Sequence, residues 1–335
     1  MNSNVNKLSD VHTIDIVVYP GFKALEAIGP LKVFDYANTH LRRRGLAGGY
    51  QVCIASNQLG MVVSDTIMSL QATKRISSLA LPDMAIVVGA HEIETALEKS
   101  PEIVEWVAAA SPRIKRLAAL CTGSFFLAEA GALDGKRATT HWSAAERLRQ
   151  RYPAVTVDAD AIFVREGNIW TSAGVTAGID LALALVEDDF GRAVALEVAR
   201  DLVVYLKRPG GQSQFSIHLS SQMTNHPKIR ALQDWILTHL EEDLSTPVLA
   251  QRLAMSDRNL SRVFQRETAG SPADFIETAR FELARRLLED NKVPLKLIAS
   301  KSGFGTEEKM RRVFQKRLGI TPRAYCERFS STAGA

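Results

Sequence analysis

An α/β domain with a mainly parallel sheet, followed by an all-α domain, is the architecture this sequence predicts. Two observations predict it. Through the first two-thirds, short apolar runs alternate with helical patterns, the rhythm of βαβ units whose strands are covered on both faces. In the last third the strand-like runs stop, and a basic helical segment repeats itself at an offset of fifty residues.

In chain order, Ile14 to Tyr19 reads as a buried strand ending at the turn Pro20-Gly21, and a helix follows over Leu25 to Arg43. Gln51 to Ala55 and Met84 to Gly89 read as further strands. Pro101 to Ala110 is a helix with proline at its start, where the missing N–H costs nothing. Leu117 to Leu120 is a fourth strand running directly into Cys121-Thr122-Gly123-Ser124 and a helix. Ala161 to Val164 and Asn168 to Thr171 are strands joined by a turn at Gly167, and a helix spans Thr176 to Val186. Pro209, Gly210 and Gly211 with their polar neighbours then break the pattern. The expected organisation is a domain over 1–207, a linker over 208–227 and a helical domain over 228–330.

The bulk numbers fit such a pair of globular domains: 335 residues, 46% hydrophobic and 23% charged. No run of about 18 uncharged apolar residues is present, so a membrane span is not expected. Three widely spaced cysteines make neither a disulfide framework nor a zinc pattern, and the polar N-terminus has no secretory core. The expected setting is the reducing cytoplasm, with no metal and no cofactor. Net charge is +4, but from His226 onward there are 19 Lys and Arg against 14 Asp and Glu, while the remainder is close to balance. The basic excess sits where a phosphate-binding domain would need it.

In the repeat, Arg262-Val263-Phe264-Gln265-Arg266 recurs as Arg312-Val313-Phe314-Gln315-Lys316, and Ser271-Pro272 as Thr321-Pro322. Ser256 and Thr306 stand as N-caps before two helices, Asp257 to Thr268 and Glu307 to Leu318. Each follows a short apolar helix and a turn, the helix-turn-helix layout. Leu260, Val263 and Phe264 form one buried face; Met310, Val313, Phe314 and Leu318 form the other. The opposite faces carry Arg258, Ser261, Arg262 and Arg266, then Glu308, Lys309, Arg311, Arg312 and Lys316. Arg and Lys can bind guanine edges and Glu can accept from cytosine; Arg266, Lys316 and Arg317 are placed for phosphates. A helical connector over Ala273 to Glu289 would hold both reader helices roughly 34 Å apart, one turn of double-stranded DNA.

These residues carry a resemblance. Ile229 to Phe329 is similar to the DNA-binding domain of the AraC/XylS family through Gly303-Phe304, Arg312-x-Phe314, Gly319-x-Thr321-Pro322-x-x-Tyr325 and Phe329. The resemblance places Arg258, Ser261, Arg262, Glu308, Lys309 and Arg312 at base-facing positions.

In the first domain, Ala119-Leu120-Cys121-Thr122-Gly123 fits a nucleophile elbow, with small residues permitting a tight strand-to-helix turn. A thiol at a helix N-terminus is expected to have a lowered pKa, with His141 as its base and Glu26 as an added carboxylate. An inert buried cysteine is the alternative. Tyr19-Pro20-Gly21-Phe22, Gly29-Pro30, Cys121-Thr122-Gly123 and Ala138-Thr139-Thr140-His141-Trp142 make Ile14 to Val186 similar to the DJ-1/PfpI domain of the class I glutamine amidotransferase-like superfamily. That resemblance implies a flavodoxin-like three-layer fold and one pocket holding Glu26, Cys121 and His141. Fused to the AraC-type domain, the chain resembles the GlxA group of transcriptional regulators. Thr122 stands where enzymatic relatives commonly have His, and Gly89-Ala90 where they have Gly-Gly.

Two functional readings follow. In the first, the resemblance implies a cytoplasmic, dimeric transcriptional activator that binds promoter DNA and engages RNA polymerase. It would respond to a small nitrogenous effector held by Glu26, Cys121, Thr122, His141 and Trp142, with Glu26 suiting a cationic group. In the second, Cys121 is the nucleophile of a hydratase or hydrolase, with His141 or Glu26 carrying the proton.

Overall fold

The computed structural model describes residues 11–206, 212, 224, 226–268, 270–289, 293–318 and 320–330. Most of the expected linker over 208–227 and Gly319 of the family signature lie outside the described residues. The chain divides into two compact units, one ending at Arg208 and the other beginning at Pro209.

The first unit is built on a seven-stranded sheet. Its strands are β1 (Val11–Val17), β2 (Gly49–Ser56), β5 (Lys74–Arg75), β6 (Met84–Val87), β7 (Arg116–Leu120), β10 (Phe163–Glu166) and β11 (Ile169–Ser172). The order is β10-β11-β7-β6-β1-β2-β5, parallel throughout except for the edge hairpin β10–β11. Continuous burial of β6 and β11 explains why their sequences are unbroken apolar or small runs instead of alternations. Helices α1 (Ala24–Arg43), α2 (Ile93–Lys99), α3 (Pro101–Ala110), α4 (Ser124–Glu129), α5 (Ala145–Arg151), α6 (Ala177–Phe190) and α7 (Arg192–Asp201) accompany it. The core gathers Phe34, Phe125, Phe126, Tyr19, Ile14 and Ile86, all without solvent exposure. Strand β8 (Arg137–Ala138) pairs with β9 (Thr156–Val157) just before the segment that carries His141.

Outside the main sheet, β3 (Gly60–Val63) and β4 (Ser69–Ala72) form a hairpin that the apolar pattern does not announce. It reaches the start of α1: Gly21 N–H donates to the Val63 carbonyl at 2.9 Å, and Ala24 N–H donates to Asp65 Oδ1 at 3.0 Å. The α1 N-terminus is therefore capped from a distant loop, and Lys23 and Glu26 are fixed beside the carboxyl ends of β1, β6 and β7. That edge of a parallel sheet is where ligands are bound.

The second unit is helical. A helix over Pro227–Thr238 packs with Thr246–Arg252 and Asp257–Thr268 around Ile229, Leu232, Ile236, Leu249, Leu260 and Phe264. Leu295–Lys301, Glu307–Leu318 and Pro322–Ser330 pack around Ile298, Ala299, Phe304, Met310, Phe314 and Tyr325. Between them runs the connector helix, Pro272–Glu289. It gives Ile276 and Ala279 to the first core and Phe281, Ala284 and Leu288 to the second. Ser271 caps it, accepting from the Asp274 N–H at 3.1 Å. Both expected caps on the repeated helices form: Ser256 Oγ accepts from Asn259 N–H and Thr306 Oγ1 from Lys309 N–H, each at 3.3 Å. Val313 and Leu318, read as buried, are half-buried.

Candidate ligand cluster and nucleic-acid interface

Strand β7 turns into a single 3-10 turn over Cys121–Gly123 before α4. Cys121 is held there at φ 52°, a conformation that costs a non-glycine residue roughly 1–3 kcal/mol. Its carbonyl accepts from Thr140 Oγ1 at 2.9 Å and Ser124 Oγ at 3.0 Å, which fixes the strained peptide. Gly123 is required by space: a Cβ there would lie 2.4 Å from the Val87 carbonyl oxygen. The elbow expected from Cys121-Thr122-Gly123 therefore exists as backbone geometry.

Its chemistry differs from the expectation. Cys121 and Glu26 have no solvent exposure and Thr122 has 4%. Lys23, on the turn entering α1, donates from Nζ to Cys121 Sγ at 3.3 Å and lies 3.8 Å from Glu26 Oε1. Burial pushes the Cys121 thiol up to about 12; the Glu26 charge adds to this and Lys23 opposes it. The lowered thiol expected from the helix N-terminus is thus reversed, because desolvation outweighs a dipole supplied by one short helix. Burial likewise raises the Glu26 carboxyl to about 7, against the Gly89 amide and Lys23, which favour its charged form. Lys23 supplies internally the cationic group that Glu26 was expected to take from a ligand.

The amides that could stabilise an oxyanion are also engaged. Gly89 N–H donates to Glu26 Oε2 at 2.6 Å, and Ala90 N–H donates to Thr122 Oγ1 at 3.0 Å. Thr122 Oγ1 in turn donates to the Ala90 carbonyl at 2.7 Å. Thr122, at the position commonly held by His in enzymes, closes the site on itself.

His141 lies beside this cluster without joining Cys121: among the described residues no hydrogen bond links the two. Its Nδ1 accepts from Ser143 N–H at 3.3 Å and meets Ser143 Oγ at 2.7 Å. Burial, with Lys23 and His91 nearby, lowers its pKa, so the imidazole is kept neutral at pH 7. Trp142 is 60% exposed, its ring 5.4 Å from that of His141. Sequence reasoning missed Lys23, which sits in no motif; only the turn after β1 aims it inward. Among the described residues, no three His, Cys, Asp or Glu side chains gather to hold a metal ion.

In the second unit, Arg258, Arg262 and Arg266 are exposed and Ser261 is half-buried; Glu308, Lys309, Arg311, Arg312 and Lys316 are exposed. Arg311 donates to both Glu308 carboxylate oxygens, at 3.0 and 3.1 Å, and Arg312 lies 3.6 Å from Glu308. Exposed pairs of this kind contribute little, so they can be exchanged for contacts to bases at low cost. Lys316 and Arg317, read as phosphate contacts, pair with Glu277 of the connector at 3.3 and 3.2 Å, and Arg317 also donates to Thr278 Oγ1 at 2.8 Å. No helix among the described residues is long and apolar enough to cross a membrane.

Comparison with known proteins follows the same division. Residues 12–188 match the DJ-1/PfpI family, and residues 249–328 match a helix-turn-helix domain. The chain is 28% identical over 310 residues to the HTH-type transcriptional regulator CdhR of Pseudomonas aeruginosa, covering 91% of this chain and 89% of that one. It is 29% identical to the HTH-type transcriptional regulator GbdR of the same species, over 72% of this chain and 65% of that one. It is 28% identical to the HTH-type transcriptional regulator GlxA of Rhizobium meliloti, over 62% of this chain and 64% of that one. The chain thus spans just under two thirds of the latter two. The solved structure of a ThiJ/PfpI family protein from Pseudomonas syringae matches with a TM-score of 0.52 and 26% identity, over 62% of this chain and 82% of that one.

Proposed function

From the premise that the chain belongs to the DJ-1/PfpI family and carries an AraC-type helix-turn-helix domain, we propose that it is a sequence-specific DNA-binding transcriptional regulator. One observation carries this: two N-capped helices, each with a buried apolar face and a charged exposed face, stand at the two ends of one connector helix. The named relatives that span both units are regulators. The domain boundary within 208–227 and the base-facing roles of Arg258, Ser261, Arg262, Glu308, Lys309 and Arg312 belong to this reading, with Arg311 on the same exposed face and Arg266 and Lys316 on phosphates.

The DJ-1/PfpI unit acts here as a sensor, not an enzyme. A buried thiol with a raised pKa, an imidazole turned to Ser143 and two occupied amides leave acyl chemistry without nucleophile, base or oxyanion hole. Glu26 and Cys121, which face the Lys23 ammonium, are complementary to a cation, so a nitrogenous effector would enter past Trp142 and take the place of that ammonium. The regulator works in the cytoplasm as a homodimer formed through this unit, and as an activator it engages RNA polymerase.

The test is selection from a random duplex pool by the full chain, followed by titration of the selected site. Arg312→Ala is expected to weaken specific binding by about 1–3 kcal/mol and to relax one base position. An unaltered sequence preference removes Arg312 from the readout, and a pool without enrichment overturns the reading. A thermal-shift screen of nitrogenous metabolites tests the sensor, since a ligand selective for the folded state raises the melting temperature. Turnover of any of them that Cys121→Ala abolishes would restore the enzyme reading.

A further inference from the structure

Two separate apolar cores share one connector helix, and apolar contact is non-directional. Packing against the connector sets the arrangement of the two reader helices, but helix contacts of this kind scatter by roughly 15–20° in angle, so a directional contact is needed to narrow it. A directional device joins the connector to the first bundle. Arg280, half-buried on the connector, donates from Nε to the Leu240 carbonyl at 3.0 Å and from Nη2 to the Glu242 carbonyl at 2.9 Å. Both carbonyls belong to the turn that leaves the first helix of the first bundle.

Gly303, in the turn of the second helix-turn-helix, is packed onto the same spot. Its φ is +80°, and a Cβ there would lie 1.8 Å from the Leu240 oxygen and 2.6 Å from Arg280 Nε. The first bundle, the connector and the second turn thus converge on one guanidinium. On the same helix, one turn earlier, Glu277 and Thr278 hold Arg317 of the second reader helix. A guanidinium is a rigid planar fork, so a pair of carbonyls engaged by it sets an angle as well as a distance.

We infer that Arg280 is a positioning residue that fixes the phase of the two reader helices, and with it the spacing between the two half-sites the chain accepts. The inference rests on the DNA-binding reading above. One base pair of spacing corresponds to roughly 3.4 Å and roughly 35° of rotation, so a small change in the interlock is read as a different site.

The experiment selects binding sites from random duplexes with the full chain and with Arg280→Met and Arg280→Lys, and compares the spacings recovered. Methionine keeps the apolar stem and removes every donor; lysine keeps one point of contact. The wild-type pool is expected to hold one spacing. The R280M pool should keep the base preferences within each half-site, spread over two or more spacings, and bind the wild-type consensus about tenfold more weakly. Affinity for a duplex holding a single half-site should change less than twofold, and R280K should fall between. Unchanged spacing and affinity in R280M overturn the inference while leaving DNA binding intact. Should R280M fail to fold, R280K decides in the same way, a broadened spacing supporting and a single spacing overturning. No enrichment by the wild-type chain would remove the DNA reading and this inference together.

Discussion

Glu26 is the residue whose environment does most to define the site. Its carboxyl titrates near 7 in the folded chain, against 4.5 for an ordinary glutamate, because burial disfavours the charged form. Between those values the folded state holds a proton that the unfolded chain has released. Stability contributed by this group is therefore fully present below pH 4.5 and is lost as pH rises towards 7, by up to about 3 kcal/mol. Thermal melts across that range should show the decline, and Glu26→Gln should flatten it whatever it does to absolute stability. A wild-type curve that climbs steadily from pH 5 to 7, with the glutamine variant following it, would show that Glu26 stays charged throughout. Cys121 completes the picture: its unfavourable φ is retained and its carbonyl doubly bonded, although its sulfur is sealed from solvent.

Turns and caps decide the behaviour of the elements. Gly303→Ala places a methyl against a backbone oxygen, in a left-handed conformation that an L side chain resists. It should destabilise the second helix-turn-helix by at least about 2 kcal/mol, read as an earlier thermal transition, while Gly305→Ala, with open space at its Cβ, should cost only the strain of its own φ. Equal melting of the two variants would show that the contact with Leu240 is dispensable. These reader elements were legible in the sequence because caps, apolar period and basic face all recur together. The central parallel strands β6 and β7 were legible because both faces of each are covered, whereas β5, two partly exposed residues at the sheet edge, was not read. The β3–β4 hairpin was not: Met61 and Val63 are apolar yet exposed on either side of buried Val62, so no alternation of apolar and polar residues marks the strand. Helix α2 is too short to display a period, and α7 is separated from α6 by Gly191 alone. The thiol state was illegible for another reason. It depends on Lys23 and on complete burial, which are products of tertiary packing and not of the local strand-turn-helix pattern that the motif encodes.

At the scale of the molecule, the charge asymmetry between the two units has a measurable consequence. Each phosphate contact releases condensed counterions, so log affinity should fall linearly with log salt. Arg266→Ala removes an expected phosphate contact and should lower the magnitude of that slope by about one while leaving base preference intact. An unchanged slope would place Arg266 off the backbone. Arg317→Ala should behave differently, loosening the connector and not the salt slope, because its guanidinium is held by Glu277 and Thr278.

The exposed ring beside His141 also makes the chain its own optical probe. Of the four tryptophans, Trp106 and Trp170 are buried, Trp235 is half-buried, and Trp142 alone stands largely in water. Its emission is expected to be the red-shifted part of the spectrum and the part open to quenching by iodide. A guest that covers the ring would turn that emission blue and shield it, with no label attached to the protein.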